Sequence, residues 1–221
     1  PASTRRLAAR RVVGVIGLVL AATALSGCWL FAANERINGH AVAAQYNGLA
    51  NQTTAIVIYA DQAQTDEFPN SRLEISSFLA TQLRQDIPTI RLVDSRDVID
   101  WQDDTLNWAN LSMHDIARHF SVNRVIYIEL LNYSAHAEGT FGDLQGHIRA
   151  ACKVYDATNP GISPVWSDTL DILWPPRRPL DPTSSSEVAV RKRVLEEFSH
   201  QLSNRFHDHR DIEPTISEEE E

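Results

Sequence analysis

Two kinds of apolar run alternate along the chain, and each predicts a different element. Thr53 to Ala60 (TTAIVIYA) is β-branched and apolar on both faces, which predicts a strand covered on two sides. Asp61 to Asn70 is polar and contains Pro69, so it reads as a loop. From Ser71 onward Ile75, Phe78, Leu79, Leu83 and Ile87 follow helical spacing, predicting an amphipathic helix that stops before Pro88. Thr89 to Val93 (TIRLV) reads as a second strand. Ser95-Arg96-Asp97-Val98 then opens a short helical turn, and Trp101 to Asn110 (WQDDTLNWAN) is aromatic and acidic without a clear period. Ser112, with Asp115 three residues on, predicts the capped start of a helix carrying Ile116, Ala117 and Phe120.

The second half of the chain changes pattern. Arg124 to Tyr133 (RVIYIELLNY) is apolar at nearly every position, as in a central strand, and Glu138 to Gly146 is glycine-rich, as in a turn. After it Ile148, Ala150, Cys152 and Val154 share one face, with His147, Arg149, Ala151, Lys153 and Tyr155 on the other, so this strand is half-buried. Asn159-Pro160-Gly161 marks another turn, and Val165 to Trp174 (VWSDTLDILW) a further strand ending at Pro175-Pro176. Ser184, three residues before Glu187, predicts the cap of a last helix with Val190, Val194, Phe198, Leu202 and Phe206 as its core stripe. The order β-α-β-α-β-β-β-α predicts an α/β (α+β) fold: a mixed sheet, parallel where helices cross over and antiparallel in the hairpins, with helices packed on it.

The amino terminus has its own pattern. Arg5, Arg6, Arg10 and Arg11 precede an apolar run from Val12 to Leu25, the arrangement of a secretory signal. The run is shorter than the roughly 20 residues that span a bilayer. It ends in Leu25-Ser26-Gly27-Cys28, which resembles the bacterial lipobox, so residues 1–27 are expected to be removed and Cys28 to carry lipid. Trp29 rather than Asp after the cysteine implies, by the same resemblance, the outer membrane and a periplasm-facing domain. Residues 28–52 are expected to be a lipidated tether with a short helix around Ala41 to Leu49, residues 53–207 a single domain, and residues 208–221 a disordered acidic tail.

Charge and cysteine usage narrow the function classes. The whole chain of 221 residues carries a net charge of -9. Residues 1–27 hold four arginines and no acid, so their removal takes the balance to -13. Such a surface repels phosphate backbones and anionic headgroups, arguing against nucleic acid and for a covalent or apolar membrane attachment. Cys28 and Cys152 are the only cysteines. With Cys28 acylated, no disulfide framework exists, and Cys152 reads as a small buried hydrophobe.

Asp115 to Leu130 (DIARHFSVNRVIYIEL), together with the element order, resembles envelope lipoproteins whose domain is like the amino-terminal domain of TolB, the core of the secretion protein CsgG and the synthase activator LpoB. Phe120-Ser121-Val122-Asn123 stands where that group has Leu-Gly-Val-Asp. The resemblance implies non-enzymatic roles: assembly factor, activator, or subunit of an export apparatus. No insertion long enough to line a CsgG-type barrel occurs here.

Candidate chemistry is sparse. His136 and His147 flank the turn around Phe141-Gly142, and an evenly paired hairpin would set them opposite each other near Glu138, yet two imidazoles are too few for a zinc site. His207-Asp208-His209 is expected to fray into solvent. Asp103 and Asp104 with Glu138 or Asp143 suggest paired carboxylates of a small periplasmic hydrolase, though nothing in the sequence fixes their separation. Nucleophile elbows, phosphate loops and dinucleotide fingerprints are absent. No catalytic residue, metal or cofactor is expected. Of the tryptophans at 101, 108, 166 and 174, the pair Trp101 and Trp108, with Asp103 and Asp104 between them, is the expected surface for an envelope protein partner.

Overall fold

The computed structural model describes residues 40–140, 142–159 and 163–211. The signal, the lipobox, Cys28 and the acidic residues 212–221 lie outside them. Seven strands, β1 His40–Val42, β2 Thr53–Tyr59, β3 Arg91–Leu92, β4 Arg124–His136, β5 Leu144–Asp156, β6 Trp166–Trp174 and β7 His209–Asp211, occur among the described residues. The helices are α1 Gln62–Glu67, α2 Ser71–Asp86, α3 Ser95–Asp104, α4 Met113–His119 and α5 Glu187–Ser203. Two units result. One spans residues 44–207, and the other includes β1 and β7, which pair antiparallel.

The larger unit is a five-stranded sheet of order β3-β2-β4-β5-β6. β2 runs parallel to β3 and β4, and the remaining pairs are antiparallel, the mixed sheet that the sequence predicts. The burial of β2 on both faces explains its unbroken apolar run. On one face Ile56 and Ile58 pack with Ile75, Leu79, Leu83, Phe198 and Leu202 of α2 and α5. On the other Ala55 and Val57 pack with Val98 of α3 and Ile116 and Ala117 of α4. Each large side chain fully buried here contributes about 1.5–3 kcal/mol against exposure, before entropy.

β3 is two residues long, where the sequence predicts five. Beyond it α2 and α3 meet directly, through Ser76 Oγ to Ser95 Oγ at 2.7 Å and Arg72 to Asp103 at 2.6 Å. Short strand and covering helices together protect this edge of the sheet.

In the meander, α5 covers the face bearing Tyr133, Ile148, Ala150, Cys152, Leu170 and Ile172. The opposite face carries Glu129, Asn132, His147, Arg149, Lys153, Thr169 and Asp171. Opposed charges there pair across strands, Lys153 with Glu129 at 3.8 Å and Arg149 with Asp171 at 3.7 Å. Pairing passes from Leu130↔Ala150 to Asn132↔Arg149, so Leu131 is an extra, 47% exposed residue: a bulge in β4.

Several local expectations are corrected. Residues 44–52 are not helical. Leu49 is fully buried in the core and Tyr46 lies edge-on to Phe206, so the packed unit takes in residues read as tether. Part of the expected loop at 61–70 is α1, started by Asp61, whose side chain accepts from Gln64 N. The cap of α5 is Ser186, accepting from Ala189 N, rather than Ser184, whose hydroxyl donates to the Asp181 carbonyl. Gly146 belongs to β5 and not to the turn.

Candidate functional site

The segment from Trp101 to Trp108 is structured where the sequence shows no period. Val98, Trp101 and Gln102 fall at helical spacing and turn one face of α3 to the sheet. Gln102 hides the pattern because it is polar, yet it is 3% exposed, and its Nε2 donates to the Ile58 carbonyl at 3.0 Å. Trp101 is half-buried, stacked on His119 with ring centres 5.0 Å apart and edge-on to Phe120 at 5.1 Å. Trp108 lies 6.4 Å from Trp101 and edge-on to Tyr59 at 6.2 Å. Both tryptophans therefore anchor the second core with their buried portions.

The residues they hold in place face outward. Asp103 is ion-paired to Arg72 with its side chain 58% exposed, and Asp104 is exposed. Leu106 is 92% exposed and Leu111 39%. Asn107 adopts the left-handed conformation at φ 59°, tolerated by asparagine, and sets the chain into the 3-10 turn Trp108–Asn110. Bonds from Trp108 N to Thr105 O (3.3 Å), Asn110 N to Asn107 O (2.9 Å) and Leu111 N to Trp108 O (3.0 Å) close the loop. The result is a braced loop whose tip is a leucine, which no sequence signal distinguished from its neighbours.

A second candidate is a cavity of about 460 Å3 on the uncovered face of the meander, lined by Asn132, Ser134, His136, Glu138, Gln145, His147 and Leu173. The structure thus gathers both hairpin histidines and Glu138. It does not set the histidines opposite each other, because the shifts in register pair His147 with Ser134 and His136 with Leu144. His147 is held at both ring nitrogens. The Asn132 amide nitrogen lies 2.8 Å from Nδ1, and Asp171 Oδ1 lies 2.7 Å from Nε2. Ser134 stands beside this imidazole in register, but its hydroxyl donates to the His136 carbonyl at 3.2 Å. His136 Nε2 is 3.9 Å from a Glu187 oxygen.

Neither Asp103 nor Asp104 lines this cavity, so the carboxylate pairing with Glu138 is not assembled there. Among the described residues no group of three or more histidine, cysteine or acidic side chains is placed to hold a metal ion. Burial pushes the Cys152 thiol up to about 12, with the charge of Asp168 acting in the same direction, so it stays protonated and unreactive at neutral pH. His207 is half-buried, its Nδ1 3.0 Å from the Ser203 carbonyl, rather than frayed, and His209 lies in β7. Trp166 and Trp174 occupy the two ends of β6, half-buried against the main core, Trp166 edge-on to Phe206 at 4.9 Å.

No known family model matches the chain. No curated protein matches it in sequence. Solved structures to which it is similar include the PelC dodecamer from Paraburkholderia phytofirmans, at 14% identity and a TM-score of 0.43, covering 74% of this chain and 95% of that one. Another is lipoprotein GNA1162 from Neisseria meningitidis, at 16% identity and a TM-score of 0.43, covering 69% and 98%. A third is a minor lipoprotein from Acinetobacter baumannii, at 11% identity and a TM-score of 0.37, covering 71% and 97%. The structures to which this chain is similar thus include bacterial lipoproteins.

Proposed function

We propose that this chain is a lipoprotein of the bacterial cell envelope, anchored through lipid on Cys28, whose domain is a non-enzymatic binding or assembly component. Leu25-Ser26-Gly27-Cys28, placed behind an apolar run and four arginines, is the observation that carries the anchor. Attachment through two or three acyl chains is stable where one is marginal. Trp29 after the cysteine supports the outer membrane, and the likeness of Asp115 to Leu130 to the TolB, CsgG and LpoB domains supports the same class of role.

The non-enzymatic part rests on the cavity. Nucleophilic catalysis needs a base beside a hydroxyl or thiol. Here both nitrogens of His147 are engaged, to Asn132 and Asp171, and the hydroxyl of Ser134 is turned elsewhere. The partner surface is the braced loop, with Leu106 as its apolar tip between Trp101 and Trp108, and Asp103 and Asp104 on its flank. Its chemistry fits an envelope protein that offers an apolar recess bordered by lysine or arginine.

Cys28→Ser tests the reading. The unaltered chain sediments with membranes in a shortened form, whereas the variant remains at full length. Identical processing and fractionation of the two would end the proposal.

A further inference from the structure

The two edges of the sheet differ. The β3 edge is two residues long, and α2 and α3 meet just past it. The β6 edge is nine residues long, and its pairing with β5 runs without a shift from Gly146↔Trp174 to Val154↔Trp166. It contains no proline, lysine or bulge, three of the devices that discourage pairing at an exposed edge, and its two carboxylates are engaged within the copy, Asp168 by Arg205 at 3.1 Å and Asp171 by His147 at 2.7 Å; no strand pairs with its outer side among the described residues. Thr169 N donates instead to the carboxylate of its own neighbour Asp168, at 2.8 Å.

The residue order of β6 supplies the occupant. Read as Trp-Ser-Asp-Thr-Leu-Asp-Ile-Leu-Trp, the strand has a tryptophan at each end and Leu170 at its centre. We propose that β6 pairs antiparallel with β6 of a second copy of this chain, about a two-fold axis through Leu170. In that register Trp166 of each copy faces Trp174 of the other, Leu170 faces itself, and Thr169 faces Asp171. Asp168 faces Ile172, and Ser167 faces Leu173. All nine positions are used, core-face residues meet core-face residues, and no carboxylate lies opposite another. Two aromatic cross-strand pairs form, burying tryptophan surface that one copy leaves half-exposed. Every contact away from the axis occurs twice, as a two-fold interface requires, with the Leu170 pair on the axis itself, and the two five-stranded sheets become continuous. The like residues that this axis brings together, tryptophan on tryptophan at the two ends and Leu170 on itself, are why a second copy is the occupant. On pairing, the amide of Thr169 leaves its neighbour's carboxylate for the opposing backbone.

Sedimentation velocity of the full chain in detergent tests the register. Thr169 is exposed, so substitution there leaves the fold intact, and a thermal melt of each variant checks this. The unaltered chain sediments as a dimer. Thr169→Asp places a carboxylate opposite Asp171 at two points and raises the dissociation constant roughly tenfold. Thr169→Lys places an ammonium there and leaves the constant unchanged or lower. A monomeric unaltered chain, or the same constant for both variants, overturns the proposal.

Discussion

Gly146 of β5 lies directly beneath Val194 of α5: a Cβ added at the glycine would stand 2.7 Å from both the Cβ and a Cγ of the valine. A backbone carbonyl, that of Val190, would lie at 3.2 Å, so the helix as well as the side chain is in the way. Gly146→Ala is expected to cost about 1–3 kcal/mol through overpacking, read as a fall in the urea midpoint. Combining it with Val194→Ala recovers part of that loss. An unchanged midpoint for the single variant would show that α5 moves away freely.

Arg124 and Asp156 pair across β4 and β5 with side chains 13% and 19% exposed. Burial is the largest single influence on Asp156 and pushes its carboxyl up. The hydroxyl and amide of Thr158, the Arg124 charge and the Asn159 amide together outweigh it and hold the group below the ordinary value of 3.8. A carboxyl lowered on folding adds stability above its unfolded value, and the contribution is lost as pH falls through the folded one. Asp156→Asn is therefore expected to cost about 1–2 kcal/mol at neutral pH. The gap between variant and parent should close as the pH is taken below 3.8. A gap independent of pH would contradict the assignment.

Cys152 is fully buried and protonated. Iodoacetamide at pH 8 is expected to leave it unmodified in the folded chain and to label it once urea unfolds the domain. Labelling at the same rate in both states would mean that β5 opens readily under α5.

Leu106 is 92% exposed and supports no core, so Leu106→Asp should change stability by no more than about 0.5 kcal/mol while weakening attachment to the envelope partner proposed above. Photocrosslinking from position 106 in intact cells checks this. A discrete adduct is expected with the parent loop around the probe, and its loss on reversing Asp103 and Asp104 to lysine supports the basic recess. An adduct insensitive to that reversal removes the acids from the surface.

How far the sequence spoke depended on what each residue had to satisfy. β2 was legible because burial on both faces demands an apolar run, and β5 because burial on one face demands alternation. α3 was not, since its inward face includes Gln102, whose amide serves the Ile58 carbonyl rather than the core. The cavity was half legible. Its histidines flank a visible turn, but the bulge at Leu131 and the second shift near His136 decide what faces them, and neither leaves a mark in composition. The cap at Ser186 was missed because three consecutive serines, Ser184 to Ser186, offer the same hydroxyl.

Mass spectrometry of the amino-terminal peptide, taken from membranes of cells expressing the whole chain, tests the proposed lipid anchor on Cys28. A peptide beginning at Cys28 and carrying thioether-linked diacylglycerol is expected. A peptide that continues upstream through Gly27, or one that begins at an unmodified Cys28, would contradict it.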